Sequence, residues 1–212
     1  MKLLSEINAN DVETLVEQTS TGKKYYVEGR WATAEEPNKN GRMYPMDVME
    51  SALGKYSKDY ISEKRALGEL GHPAGPSVNL DRVSHNIEGL RMEGNHVVGR
   101  AKILQSTPMG AIAANLIDEG IKLGVSTRGL GSLAEGKDGI KRVQNDFFIS
   151  AIDLVSDPSG PGCWVSGIQE GIEYQMLEDG RIMELIVDSK KGKINEQKAI
   201  SAFYHLMKNL RG

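Results

Sequence analysis

The chain has 212 residues and a mass of 23.2 kDa, which suits one domain with an extension and excludes a large multidomain assembly. Hydrophobic residues make up 39% of the sequence, enough to bury a core, so wholesale disorder is excluded as well. The 26 basic and 29 acidic residues nearly cancel to a formal net charge of −3. This balance argues against a nucleic acid or an anionic membrane as a partner.

Cysteine usage and the N-terminus indicate the cellular compartment. The single cysteine, Cys163, permits neither an internal disulfide nor a cysteine-rich zinc site, so we expect a reducing environment. The N-terminus reaches Glu6 before an apolar segment forms, and no apolar run approaches about 18 residues. We therefore expect a soluble protein without a signal peptide or a membrane span.

The first half of the chain predicts an arm, a strand and a helix. Residues 1–22 are polar and weakly periodic, which is typical of a loosely docked N-terminal arm. Residues 24–33 are rich in aromatic and β-branched side chains and predict a strand. Apolar residues at three- and four-residue spacing follow Pro45, and they predict an amphipathic helix that ends near Glu63.

The middle of the chain predicts mostly strands. Residues 83–92 and 96–104 are β-prone runs joined by a turn at Gly94, and Thr107 is a candidate N-cap for a helix that Gly120 ends. Three more strands are predicted, over residues 125–133, 140–144 and 147–155. Such a series favours a mainly β fold with peripheral helices, a closed or nearly closed barrel rather than a regular βαβ series.

The chain end changes character. Residues 190–193 form a basic linker, and an apolar stripe over residues 194–210 predicts an amphipathic helix. We therefore predict a barrel domain over residues 23–170 and a separable tail over residues 171–212.

Three residues carry the candidate chemistry. His72 lies among glycines and prolines at the exit of a predicted strand, where a scaffold can present a catalytic imidazole. Ser126 is preceded and followed by glycine-rich sequence that would let a substrate carbonyl approach its hydroxyl. Asp153 is an acid in an otherwise apolar strand, and such an acid requires a partner or a function. Each feature taken alone is also compatible with a structural role.

Together with their surroundings these residues resemble the prohead serine proteases of T4-type bacteriophages, over roughly residues 25–165. The segments that carry the resemblance are NGRMYP (40–45), ALGELGHP (66–73), GVSTRGLGS (124–132), and Asp153 followed by DPSGP (157–161). That family is distantly similar to herpesvirus assemblin. The resemblance implies an assemblin-like closed antiparallel β-barrel of about seven strands.

The resemblance also implies an activity. A serine endopeptidase of the prohead interior, assembled in the host cytoplasm, would digest the scaffolding core, trim capsid subunits and finally cleave itself, without a cofactor or a metal. His72 matches the general base, Ser126 the nucleophile and Asp153 the acid of this family. For the oxyanion or substrate we expect backbone N–H groups of Gly160 or Gly162, with Arg128 as a charged helper or a ligand for a substrate carboxylate. A strand arginine that pairs with a neighbouring acid is an equally open interpretation of Arg128.

The family implies cleavage after Glu when Leu or Ile stands two residues earlier. This pattern occurs at residues 4–6, 168–170 and 194–196, so the tail is a candidate for self-cleavage or for docking to the scaffold. The sequence leaves open a homodimer or a higher oligomer.

Three alternatives are weighed against a serine protease. A metal hydrolase would draw ligands from the group Glu69, His72, Asp81 and His85, but Pro73 breaks the helix that such a motif needs. A thiol protease built on Cys163 fails because too little chain follows to supply its histidine. A non-catalytic structural or scaffold component of a phage head stays open, because a fold alone does not prove an activity.

Overall fold

A computed structural model describes residues 1–8, 12–19, 22–38, 40–73, 75–156, 172–176 and 182–186. The strands are β1 (Lys2–Asn8), β2 (Val12–Thr19), β3 (Gly22–Thr33), β4 (Arg42–Met43), β5 (Leu67–Glu69), β6 (Val83–Glu93), β7 (His96–Ile103), β8 (Leu123–Gly131), β9 (Leu133–Glu135), β10 (Lys141–Val143), β11 (Phe148–Ser156), β12 (Ile172–Met176) and β13 (Ile182–Ile186). The helices are α1 (Met46–Tyr56), which a π-helical turn (Ser57–Ile61) extends, and α2 (Pro108–Asp118); a 3₁₀ turn (Leu80–Arg82) precedes β6.

The chain forms two compact units. One comprises Leu3–Gly167, and the other comprises Met1–Lys2 with Ile168–Gly212. In the second unit, β12 and β13 pair as an antiparallel hairpin. The first unit carries every candidate residue of the site.

The largest sheet has the strand order β2-β3-β7-β6-β5. Its centre is the predicted hairpin of β6 and β7, whose turn contains Gly94 at a φ of 61°. Positive φ is unfavourable for residues with a Cβ, which explains the glycine at this turn. The sheet ends at the short edge strand β5, which leads into the segment that carries His72.

A second sheet has the strand order β1-β8-β11, and a third has the order β4-β10-β9. Strands β8 and β11 are antiparallel, and in their register Ser126 stands opposite Asp153. All nine residues of β8 are buried. This strand therefore runs through the interior of the unit rather than along its surface.

The two helices bury one face each against the strands. Helix α1 follows Pro45 and buries an apolar stripe that consists of Val48, Met49, Ala52, Leu53 and Tyr56. In α2, the Thr107 hydroxyl oxygen accepts a hydrogen bond from the Gly110 N–H at 3.0 Å, the contact of an N-cap residue. Past its end, Gly120 has a φ of 75°.

The structure confirms the mainly β class with few helices, the strand over 24–33, the central hairpin and both helices. One point differs from expectation. Residues 1–22 contain β1 and β2, paired within sheets, rather than a loosely docked arm. Among the described residues, strand pairing gives four separate sheets, so the closed barrel stays a prediction.

The tail contains strands β12 and β13, which the sequence did not predict. The helix predicted over residues 194–210 lies outside the described residues, and the domain boundaries stay predictions. None of the helices within the described ranges combines the length and apolar character required to span a bilayer.

Candidate active site

The serine and the aspartate are placed by the pairing of β8 with β11. Residues that stand directly opposite each other in an antiparallel pair extend their side chains from the same face of the sheet. Ser126 and Asp153 form such a pair, and both are fully buried. The register of two strands thus brings together a hydroxyl and a carboxylate that are distant in sequence.

His72 lies in the segment that directly follows β5. Leu70 pairs in parallel with Leu154, and the Gly71 N–H donates to the Leu154 carbonyl at 2.7 Å. Gly71 has a φ of 83°, so the chain turns there in a conformation that favours glycine. These contacts fix the backbone beside β11 one residue before His72.

The three side chains form one hydrogen-bonded row. His72 Nδ1 lies 3.1 Å from Asp153 Oδ2, and His72 Nε2 lies 3.3 Å from Ser126 Oγ. A carboxylate only accepts hydrogen bonds, so Nδ1–H donates to Asp153 and leaves the lone pair of Nε2 for the Ser126 hydroxyl. This tautomer is the one in which the imidazole can take a proton from the serine.

The Asp153 carboxylate is saturated with donors. Oδ1 accepts from the Glu69 backbone N–H and from Arg128 Nη2, both at 3.1 Å, and Oδ2 accepts from Arg128 Nε at 2.8 Å besides His72. Burial raises the pKa of Asp153, but the hydrogen bonds from His72 and Arg128 and the Arg128 charge outweigh burial and hold the pKa below its ordinary value. Asp153 is therefore ionised at neutral pH.

Arg128 has all five of its N–H groups engaged. Besides the two bonds to Asp153, Nη1 donates to the carbonyls of Gly75 at 2.5 Å and Ser77 at 3.0 Å, and Nη2 donates to Glu69 Oε1 at 3.2 Å. A guanidinium has five N–H donors, so none remains for an oxyanion or a substrate carboxylate in this arrangement. The structure places Arg128 behind Asp153 as its counter-ion, and this pairing favours the strand arginine paired with an acid over the substrate contact.

Glu69 belongs to the same buried cluster, although the sequence indicated it only as a weak metal ligand. Its oxygens accept from Arg128, from the Asn79 N–H at 2.9 Å and from the Asn79 side chain. Arg82 Nε lies 3.4 Å from the second oxygen. The signal that could have found Glu69 is an acid within a strand and three positions before His72, in the ALGELGHP segment.

His85 is fully buried on β6 beside this cluster. Its Nδ1 lies 2.8 Å from the Ser84 hydroxyl, and its Nε2 lies 2.9 Å from the Ile152 carbonyl oxygen. Burial lowers the pKa of His85 to about 4, against the Asp153 charge and the Ile152 hydrogen bond, so the ring is neutral. Because both ring nitrogens of His85 are engaged, the geometry gives no support to the metal-ligand alternative.

The remaining candidates lie beyond the described part of the site. Gly160 and Gly162, the expected oxyanion donors, and Cys163 lie outside the described residues. Their roles stay predictions.

A serine hydroxyl, an imidazole and a buried carboxylate in one hydrogen-bonded row are typical of serine hydrolases, a class that recurs on unrelated folds. Comparison with known proteins identifies the family of serine proteases to which the chain belongs. Residues 6–173 match the prohead core protein serine proteases, and the chain belongs to this family.

Two relatives support this membership. The prohead core protein protease of Enterobacteria phage T4 is 38% identical over 144 residues, which span 66% of this chain and 68% of that protein. The solved structure of the bacteriophage T4 capsid assembly protease matches with a TM-score of 0.68 and 33% identity, and the match covers 76% of this chain and 98% of that one. The resemblance found in the sequence is thereby confirmed, and the chain is a prohead protease by family.

Proposed function

We propose that this protein is a serine endopeptidase in which Ser126 is the nucleophile, His72 the general base and Asp153 the residue that orients and stabilises the imidazole. The observation that carries the proposal is the hydrogen-bonded row with separations of 3.3 Å and 3.1 Å. The family match supports a protease, and the row supports the serine mechanism within it.

The reaction follows from the proton positions. Ser126 Oγ attacks the scissile carbonyl while its proton passes to His72 Nε2, and the imidazolium then protonates the departing amine as the acyl-enzyme forms. Water, deprotonated by the same nitrogen, releases the acid and restores the serine. Asp153 opposes the charge on the imidazolium throughout.

The oxyanion of the tetrahedral intermediate needs N–H donors. Arg128 has no free N–H for this task, because its five groups are engaged with Asp153, Glu69 and two carbonyls. The backbone N–H groups of Gly160 and Gly162 stay our proposal for the oxyanion hole.

The substrates we propose are the scaffolding core and capsid proteins of a phage prohead, where the enzyme would act. Cleavage would follow Glu with Leu or Ile two residues earlier, and the enzyme would end by cleaving itself. The similarity to the T4 prohead core protein protease and to the T4 capsid assembly protease supports this setting.

The test is proteolysis of a peptide that contains Leu-x-Glu, with variants of the row and matched controls elsewhere. Ser126→Ala and His72→Ala should each abolish cleavage, because the members of a triad act as a unit. Ser62→Ala, just after the π-helical turn, and His96→Ala, on β7, should retain it. A serine-directed phosphonate should label Ser126 in the wild type and in both controls.

Three results would overturn the proposal. Full activity of Ser126→Ala would exclude the serine mechanism, and complete loss of activity with EDTA would favour a metal hydrolase. A wild type that cleaves no head protein and reacts with no phosphonate would favour the alternative of a structural head component.

A further inference from the structure

Two carboxylates and one guanidinium are buried together behind His72. Asp153, Arg128 and Glu69 are each fully buried, and Arg128 Nη2 donates to both acids, at 3.1 Å and 3.2 Å. The proposed mechanism uses only Asp153. Because a buried charge is costly unless it is balanced, the presence of the second acid requires an explanation.

Every described contact to the Glu69 side chain comes from an N–H donor. Oε1 accepts from the Arg128 guanidinium and from the Asn79 backbone N–H, and both oxygens face the Asn79 side-chain amide at 3.4 Å. Arg82, whose side chain is 42% exposed, lies 3.4 Å from Oε2. A surrounding made of donors fits a carboxylate, which only accepts.

The summed charge of Asp153, Arg128 and Glu69 explains why a second acid is present. With Asp153 and Arg128 alone, the two charges would cancel, and an imidazolium at His72 would face no net negative charge. With Glu69 included, the three buried groups sum to −1 when His72 is neutral and are neutralised when His72 takes the serine proton. The geometry thus preserves the charge that has to oppose the imidazolium.

On this basis, which rests on the proposed function, we propose that Glu69 is a positioning residue that acts through Arg128. Glu69 balances the charge of the Arg128 guanidinium and positions this group against Asp153. Arg128 can then orient the aspartate without cancelling the negative charge of the cluster. Arg128 also donates from Nη1 to the loop carbonyls of Gly75 and Ser77 and so fixes this loop beside the cluster.

Among the residues that the structure describes, the other ionisable groups around His72 do not supply this charge. Tyr56, on α1, is buried, and burial together with the Asp153 charge raises its pKa, so the phenol stays neutral. Burial lowers the pKa of His85 to about 4, so that ring is neutral as well. Arg82 is positive and partly exposed, and its charge is screened by solvent.

The experiment is a charge cycle on the intact chain. Glu69→Gln, Arg128→Gln and the double variant would be compared with the wild type in two readouts. One is the pH at which the His72 imidazole is half protonated, followed by NMR. The other is the pH profile of kcat/KM on a Leu-x-Glu peptide. The matched control is the Glu28–Arg100 pair, which joins β3 and β7 at 2.8 Å with about a third of each side chain exposed.

The expected shifts have opposite signs. Glu69→Gln should move the half-protonation of His72 to lower pH and reduce the kcat/KM plateau about tenfold or more, because the imidazolium loses a balancing charge. Arg128→Gln should move it to higher pH, and the double variant should return it toward the wild type. Glu28→Gln should leave both readouts unchanged, because that pair is partly exposed and solvent screens its charges.

Equal shifts of the same sign in both single variants, or a double variant displaced further than Glu69→Gln, would overturn the charge balance and leave Glu69 a purely structural residue. If Glu69→Gln does not fold, the sign of the Arg128→Gln shift decides alone, and a shift to lower pH refutes the proposal. The NMR readout needs no activity, so failure of the proposed protease and failure of the charge balance are distinguishable.

Discussion

Ser126 and Asp153 are direct partners across the antiparallel strands β8 and β11. Two members of the proposed triad are therefore held by backbone pairing, and only the third, His72, depends on a loop. That loop is itself fastened to β11, because the Gly71 N–H donates to the Leu154 carbonyl at 2.7 Å. A slip of one residue between β8 and β11 would turn one of the two side chains to the opposite face and dismantle the row.

The Asp153→Asn variant tests the orienting carboxylate. An amide keeps the shape but replaces one acceptor by a donor, so His72 no longer keeps its proton on Nδ1 and cannot accept from Ser126. We expect kcat to fall by about 10³- to 10⁴-fold with little change in KM, measured on a Leu-x-Glu peptide. Asp146→Asn, which alters an acceptor for Ser132, serves as the control. An Asp153→Asn enzyme within tenfold of the wild type would remove Asp153 from the triad.

Self-cleavage of the tail is tested by mass. If the enzyme cuts after Glu in the Leu/Ile-x-Glu pattern, long incubation of the active full chain should yield species that end at Glu170 or Glu196. Ser126→Ala, incubated alone, should keep its full mass, and the active enzyme added in trans should then trim it. A wild type that retains an intact C-terminus throughout would count against self-cleavage without affecting cleavage of other proteins.

Gly68 tests the packing behind the row. A Cβ added there would lie 2.0 Å from the Ile152 carbonyl oxygen and 2.2 Å from His85 Nε2, both of them buried. Neither atom is the end of a flexible side chain, so Gly68→Ala should lower the free energy of unfolding by at least about 2 kcal/mol in urea titrations. Gly54→Ala, in α1 with open space around it, should instead raise it by about 0.5–1 kcal/mol. Equal effects of the two substitutions would disprove the close packing.

Much of the site could be predicted from the sequence because its residues carry local signals. His72 is surrounded by glycine and proline, and Asp153 is an acid in an apolar strand. The contacts of Arg128 follow from its position on strand β8. Residues 126 and 128 lie on the same face of β8, with Ser126 directly opposite Asp153 and Arg128 two positions further along, so the period of two could have placed the guanidinium near the aspartate. The sequence alone left a substrate contact and a pairing with a neighbouring acid equally open for Arg128.

Glu69 and the N-terminal strands could not be predicted because their signals are tertiary. Glu69 joins the cluster through the pairing of Leu70 with Leu154, a contact that no local pattern encodes. Strand β2 is an edge strand whose side chains over residues 13–18 are all exposed, so its sequence lacks the alternation of a half-buried strand. Strand β1 contributes Leu4 to the core, but its polar and weakly periodic sequence does not predict a strand.

The last prediction concerns the pH dependence of folding at His85. Burial in the core lowers the pKa of His85 from 6.5 to about 4, although the Asp153 charge and the hydrogen bond to the Ile152 carbonyl act in the opposite direction. The unfolded chain takes up this proton near pH 6.5 and the folded chain only near pH 4, so the folded state loses stability as the pH falls between these values. From pH 7 to pH 5 the contribution of His85 to this loss is about 2 kcal/mol. Urea unfolding at both pH values should therefore show a smaller difference for His85→Gln than for the wild type, whereas His96→Gln should keep the wild-type difference. An undiminished difference in His85→Gln would show that the ring takes its proton in the folded core as readily as in the unfolded chain.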